Sequence, residues 1–325
     1  MAYTTIDDPA VYFTPVLWTG NATGRNITTG MDADMVWYKG RSYVSNHSII
    51  DSVRGTTKVI MPNSEDEEAT DSGSITAFNS TNFTIGTAGG INGNTETYVA
   101  WCWKEAAAAG FDIVSYSGTG SARTQAHSLS AKPNLMIAKK TSAAGGAWFV
   151  YLTGAVPATN YMKLNEAEAT ALSSSIWNNT EPTSSVFSLG TSSDVNGDGI
   201  TYVSYLFAEK QGFSKFGSYI GNANADGTFI YTGFKPAWLM IKLTSGDGWH
   251  LFDNKRDVDN VIEHRLEADG GGAEHTSIDW LDFTAQGFKL RTTGGGVNAS
   301  GGTYIYMAFA EAPFVNSNGV PCNAR

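Results

Sequence analysis

The chain has 325 residues, 42% of them apolar, enough for a substantial core; its formal charge of −10 and 16% charged content argue against a nonspecific phosphate-binding surface. Glycine at 36 residues, with many Thr and Asn, suits short strands and turns better than long helices. No stretch approaches the roughly 18 uninterrupted apolar residues of a spanning helix, and Cys102 and Cys322 make no disulfide framework, so neither nucleic acid nor membrane insertion is expected.

Residues 1–9 form an N-terminal arm without the positive region and long apolar run of a secretory signal. Three related units follow. TYVAWCWKE (97–105), TYVSYLFAE (201–209) and TYIYMAFAE (303–311) end repeats spanning 10–105, 111–209 and 213–314. Short linkers at 106–110 and 210–212 join them, and 315–325 is a C-terminal tail. Each repeat opens with LWTG, SYSG or SYIG, continues through DMVWYK, NLMIAK or AWLMIK, and later carries FTIG, FSLG or FKLR. Trp148 matches Trp249, and His47 stands near the same place in the first unit.

Side chains alternate along a strand with period two. One face of the recurring strand collects Val99, Trp101 and Trp103, then Val203, Tyr205 and Phe207, then Ile305, Met307 and Phe309. That face predicts a sandwich core, with the smaller tyrosine-bearing face only partly covered. INGNT, DVNGDG and NASGG, just before each strand, read as hairpin loops. Pro133 and Pro236 mark strand starts, and LNEAEATALSSS (164–175) has the composition of a short helix. The fold expected is all-β, three tandem antiparallel β-sandwich-like repeats of about 100 residues. Lys39, Lys139 and Lys242, and Glu105, Glu209 and Glu311, predict strand-end ion pairs or independent solvated termini.

Chemical motifs are sparse. Asp194, Asn196 and Asp198 in DVNGDG have the D-x-N-x-D spacing of Ca²⁺ ligands, but position twelve of such a loop falls on Tyr205, inside a strand. An Asx/Gly turn is the competing reading. His47, His127, His250, His264 and His275 show no zinc spacing. Asp51…Arg54 and Asp253…Arg256 suit a turn tied by arginine more simply than an anion clamp. The acids of EDEE (65–68) and EAE (166–168) identify no catalytic pair. Trp18, Trp148, Trp177, Trp249 and Trp280 are candidate stacking platforms for sugar, weighed against the usual place of tryptophan in a β-sandwich core.

TTIDDPAVYF (4–13), WTGN (18–21), DMVWYKGRS (34–42), SIIDSVRG (48–55) and ETYVAWCWKE (96–105) resemble a repeat-containing family of virion-associated proteins of tailed bacteriophages, especially marine ones. The likeness extends to YMAFAEAPF (306–314). It implies a noncatalytic particle component, made in the host cytoplasm and located in the virion, fibre-like or adhesive and presenting loops for host attachment. Expected partners are other phage structural proteins, copies of the chain itself with a trimer as one form, and a host surface glycan. The alternatives are a capsid decoration protein, a virion-associated polysaccharide-degrading enzyme and a carbohydrate-binding module.

Overall fold

Thr97–Trp103, Thr201–Phe207 and Thr303–Pro313 are rich in β-branched and aromatic residues, and each is the inner strand of an antiparallel main sheet. The computed structural model describes residues 2–322. In the first repeat the sheet order is Phe13–Thr19, Thr97–Trp103, Met35–Gly40, Ser48–Asp51, and the other two repeats reproduce it. Registers fix the equivalences: Phe13 lies opposite Trp103, Phe111 opposite Phe207 and Ser214 opposite Phe309. The chain is all-β, with helix limited to single turns.

Both faces of every main sheet are buried, in different company. The tyrosine-bearing face packs against a small sheet of its own repeat. In repeat 1 that sheet is Arg25–Thr28, Asn82–Ile85 and Ile75–Asn79, and it encloses Ile27, Phe83, Ile85, Tyr98, Ala100 and Cys102. This pair of layers is the sandwich. The larger face instead meets its two counterparts: Val99, Trp101 and Trp103 share one core with Val203, Tyr205, Phe207, Ile305, Met307 and Phe309. Trp103, Phe207 and Phe309 occupy equivalent positions, and their rings form a triangle with centroid separations of 6.5, 5.9 and 5.7 Å. That triangle marks an internal pseudo-threefold axis. The assignment of faces from sequence is thus corrected: the bulky face joins repeats, and the tyrosine face lies inside a repeat.

The ring closes through one arm per repeat, which leaves its own sheet and pairs with the next. Glu68 N–H donates to Thr141 O, Thr170 N–H to Thr244 O and Glu274 N–H to Arg41 O, each at 2.9 Å. These bonds run from repeat 1 to 2, from 2 to 3 and from 3 back to 1. The predicted helix at 164–175 falls on such an arm. It forms the turn after Asn160–Lys163 and the strand Ala171–Leu172, with helix only at Ser174–Trp177. Cross-repeat pairing overrides a local propensity too short to hold a helix. Pro236 lies inside the strand Phe234–Leu243, at a register shift, where its missing N–H costs no ladder bond. At the 3-to-1 junction the N-terminal arm lies against the third repeat. Tyr3 O–H donates to Gly233 O at 2.7 Å, and Ser317 N–H in the tail donates to Asp7 at 2.6 Å.

Candidate functional site

Most of the recurring polar groups sit at the seams between repeats. Trp148, Trp249 and His47 are equivalent by register, and each donates from a ring nitrogen to a carbonyl on the preceding arm. Trp148 Nε1–H reaches Met61 O at 3.0 Å, Trp249 Nε1–H reaches Lys163 O at 2.8 Å, and His47 Nε2 reaches Glu267 O at 2.9 Å. His47 Nδ1 accepts from Trp37 Nε1–H at 3.0 Å, which fixes the neutral tautomer with its proton on Nε2. Burial, reinforced by Lys39, holds this imidazole well below its ordinary pKa.

The three lysines are fully buried at the same seams. Lys139 Nζ donates to Gly146 O at 2.6 Å and Glu65 O at 3.2 Å, Lys242 Nζ to Ala167 O at 3.1 Å, and Lys39 Nζ to Gly40 O at 2.7 Å. Burial pushes each ammonium down to about 8. The expected lysine–glutamate pairing is corrected: Lys39 lies opposite Val99, at the far end of the strand from Glu105. Glu209 pairs with Lys215 at 2.6 Å and Glu311 with Lys235 at 2.7 Å. Glu105 meets Asp112, the residue equivalent to Lys215, and burial beside that second carboxyl raises it to about 7.

Asp51 and Asp253 are fully buried, each gripped by the arginine three residues on, with Nε to Oδ2 distances of 2.6 Å. A neighbouring repeat completes each set. Tyr205 O–H donates to Asp51 at 2.7 Å, and Trp101 Nε1–H donates to Asp253 at 2.9 Å. Burial opposes the Asp253 carboxylate, yet Arg256 holds its pKa below the ordinary value. At the third seam the equivalent positions are Leu152, Ala155 and Met307, an all-apolar solution. These pairs are turn-and-seam fasteners, and they leave no open anion site.

The proposed calcium ligands do not converge. Asn196 is fully buried; its Nδ2 donates to Gly190 O and Ser121 O, while its Oδ1 accepts from Thr119 N–H and, at 3.2 Å, from Arg123 Nε. A guanidinium on the would-be ligand oxygen is the opposite of a cation site. Asp198 is exposed, and Asp194 lies 4.0 Å from Lys140. The loop is one copy of a recurring device in place of the predicted hairpin. Asn92, Asn196 and Asn298 end the single turns Gly89–Asn92, Ser193–Asn196 and Gly295–Asn298 and are all buried. Tyr98, Tyr202 and Tyr304 clamp the same turns, donating to Gly89 O (2.7 Å), Ser193 O (2.6 Å) and Gly295 O. Each of these tyrosines stacks on Trp18, Tyr116 or Tyr219 at 5.0–5.2 Å. The sequence signal was present, since an Ile-Asn or Val-Asn pair recurs while its neighbours change.

The tryptophan platforms are core instead. Trp18, Trp148, Trp177, Trp249 and Trp280 are all at most 8% exposed, too little for a ring face to meet sugar. Among the described residues no group of three His, Cys, Asp or Glu is placed to hold a metal ion, and no helix is long and apolar enough to cross a membrane. Cys102 is buried, which raises its thiol pKa far above that of a reactive cysteine.

Sequence reasoning missed a surface cleft of roughly 600 Å³ in repeat 3. Its lining includes Lys235, Asn254, Asp257, Asp259, Asn260 and Phe283. From the buried seam position to the arm residue that pairs two positions before it (with Ile49, Val150 or Leu251), the chain takes nine residues in repeat 1 (51–60) and ten in repeat 2 (152–162), but thirteen in repeat 3 (253–266). The excess falls at Asp257-Val-Asp-Asn-Val261. Asn260 anchors this segment like an extra strand residue, donating to Phe283 O at 2.8 Å and accepting from Phe283 N–H at 2.9 Å. Asp257 accepts from His264 N–H at 2.8 Å and pairs with the His264 ring, whose Nε2 lies 3.8 Å from Glu274. The length difference was legible in the sequence; its position beside a cleft was not.

No curated protein matches the chain. The model of one family, described as "Domain of unknown function (DUF7483)", matches residues 8–313, which takes in all three repeats and both junctions between them. The chain therefore belongs to that family.

Proposed function

We propose that the protein is a noncatalytic structural component of a tailed-phage particle, a fibre-like or adhesive module that presents loops for attachment to the host surface. One observation carries the reading: the recurring ionisable groups are spent on fastening three repeats into a ring. Lys39, Lys139 and Lys242, with the Asp51–Arg54 and Asp253–Arg256 pairs, are buried at the seams rather than gathered in a cleft. What differs from repeat to repeat is the loops on a stiff body, the division of labour a display scaffold needs. The motif resemblance to virion-associated repeat proteins supports the same reading.

Immunogold labelling of purified particles tests it. Label at the distal tail is the expected result; a regular array over the capsid would redirect the proposal to decoration. Particles devoid of the protein, from a host in which it is expressed, would overturn the virion assignment.

A further inference from the structure

Asn-Gly occurs three times in the chain, at 92–93, 196–197 and 318–319, and the copies differ in what holds them. An asparagine before glycine can be attacked by its own chain, because no side chain shields the next backbone nitrogen from the asparagine Cγ. The attack requires a side-chain amide free to turn and a backbone free to move. Asn92 has neither. Its Nδ2 donates to Thr23 O and Gly86 O, both at 2.8 Å, its Oδ1 accepts from Asn21 N–H at 3.0 Å, and Gly93 N–H is held by the Tyr98 hydroxyl at 2.8 Å. Asn196 is tied in the same way, with the Tyr202 hydroxyl on Gly197 N–H at 2.7 Å. Both asparagines are fully buried.

Asn318 stands instead at the tip of a hairpin in the tail. Val315 bridges Pro321, Asn316 N–H donates to Val320 O at 2.9 Å, and Gly319 N–H donates to Asn316 O at 3.1 Å. Gly319 has a φ of +79°, the left-handed residue with which a short hairpin loop closes, so the turn itself places glycine after Asn318. Asn318 is exposed, and among the described residues no hydrogen bond holds its side-chain amide. The bonds that Asn316 Oδ1 accepts from Asn318 N–H and Val320 N–H are exposed as well. Such a tip opens at little cost, whereas the buried turns open only with their repeats.

We propose that Asn318 is a site of spontaneous deamidation. The Gly319 nitrogen gives up its proton to water and attacks Cγ of Asn318; the N–Cγ bond forms, the Cγ–Nδ2 bond breaks, and Nδ2 leaves as ammonia with a proton returned by water. A second water opens the cyclic imide at either carbonyl, leaving aspartate or isoaspartate. Nothing is oxidised or reduced. The new carboxylate is one residue from Ser317, whose N–H donates to Asp7 Oδ1 at 2.6 Å and whose hydroxyl donates to Oδ2. A second negative charge beside Asp7 weakens this tie between arm and tail.

The test incubates the full chain at mildly alkaline pH and maps its peptides by mass spectrometry with detection of isoaspartate. Conversion at Asn318 is expected to run roughly a hundredfold faster than at Asn92 or Asn196, the gap between local fraying and opening of a packed unit. Its rate should rise with pH, because the attacking amide must lose its proton. Asn318→Gln should block it, since the longer side chain has to close a larger ring. Asn318→Asp, which installs the product charge, should lower the melting temperature at low salt, and the drop should vanish when Asp7→Asn is added. The site is overturned if Asn318 stays intact, if Asn92 or Asn196 converts as fast, or if the rate ignores pH. An Asn318→Asp variant that melts like wild type at low salt would overturn the effect on the arm–tail tie.

Discussion

Lysine is among the residues least often buried, and here three lie at equivalent places with their ammonium groups on backbone carbonyls. Their pH behaviour follows from the direction of the shift. Each folded pKa lies near 8 against an ordinary 10.5, because burial disfavours the charged form. Between those values the unfolded chain binds more protons than the folded one, so stability rises with pH from about 8 towards 10. His47 and His250 are likewise depressed by burial, the latter to about 3, and their effect is lost stability as pH falls below 6.5. Above pH 10 the buried phenols reverse the trend, since burial raises Tyr98, Tyr116 and Tyr205 and only the unfolded chain can ionise them there. The melting temperature should therefore be higher at pH 9.5 than at pH 7.5, and the triple variant Lys39→Met, Lys139→Met, Lys242→Met should flatten the rise. A melting temperature that falls over that interval in wild type would refute the assignment.

The seams show why part of the fold was legible in the sequence and part was not. Repetition reveals which residues are equivalent, and alternation reveals that Val99, Trp101 and Trp103 share a face. Neither reveals what that face meets, because a shared centre and a private sandwich core demand the same apolar volume. The recurrence of Lys39 and Glu105 leaves strand-end ion pairs and independent solvated termini equally open, because recurrence carries no information about which strand end a residue occupies. Asn196 has the spacing of a calcium ligand and of an Asx turn alike, and the same asparagine persists in loops lacking the carboxylates. What the sequence does encode is a set of matched substitutions. Where Asp51, Arg54 and Tyr205 fasten one seam, Leu152, Ala155 and Met307 fasten another. Changing Asp51→Leu alone strips the closest partner from the buried Arg54 and should cost about 3–5 kcal/mol. The triple variant Asp51→Leu, Arg54→Ala, Tyr205→Met copies the apolar seam and should recover most of that loss, to within about 1–2 kcal/mol of wild type, since buried ion pairs often exchange for apolar packing at little cost. Urea denaturation of the two variants decides between this coupling and three independent effects: a triple mutant less stable than the single one would rule the seam equivalence out.

A ring of repeats with one shared core should behave as a single cooperative unit, unlike beads on a string. An isolated repeat would expose Met35, Trp37, Val99, Trp101 and Trp103, all at most 3% exposed in the whole molecule. Each such side chain contributes about 1.5–3 kcal/mol by burial, and a single repeat has no other surface on which to recover it. The linkers carry little of the stability, because the 3-to-1 seam repeats the backbone bond of the other two without a direct peptide connection. That seam is tied instead by the arm and tail, where Asp7 meets Ser317. A circular permutant that joins the tail to the arm through a short Gly-Ser linker, and opens the chain between the exposed Ala107 and Ala108, should consequently fold. Its calorimetric trace is expected to show one transition with equal van't Hoff and calorimetric enthalpies, as should the natural chain. Three separable transitions in the natural chain would show that the repeats are autonomous domains, and a permutant that fails to fold would show that the order of the linkers, more than the closure of the ring, holds the core together.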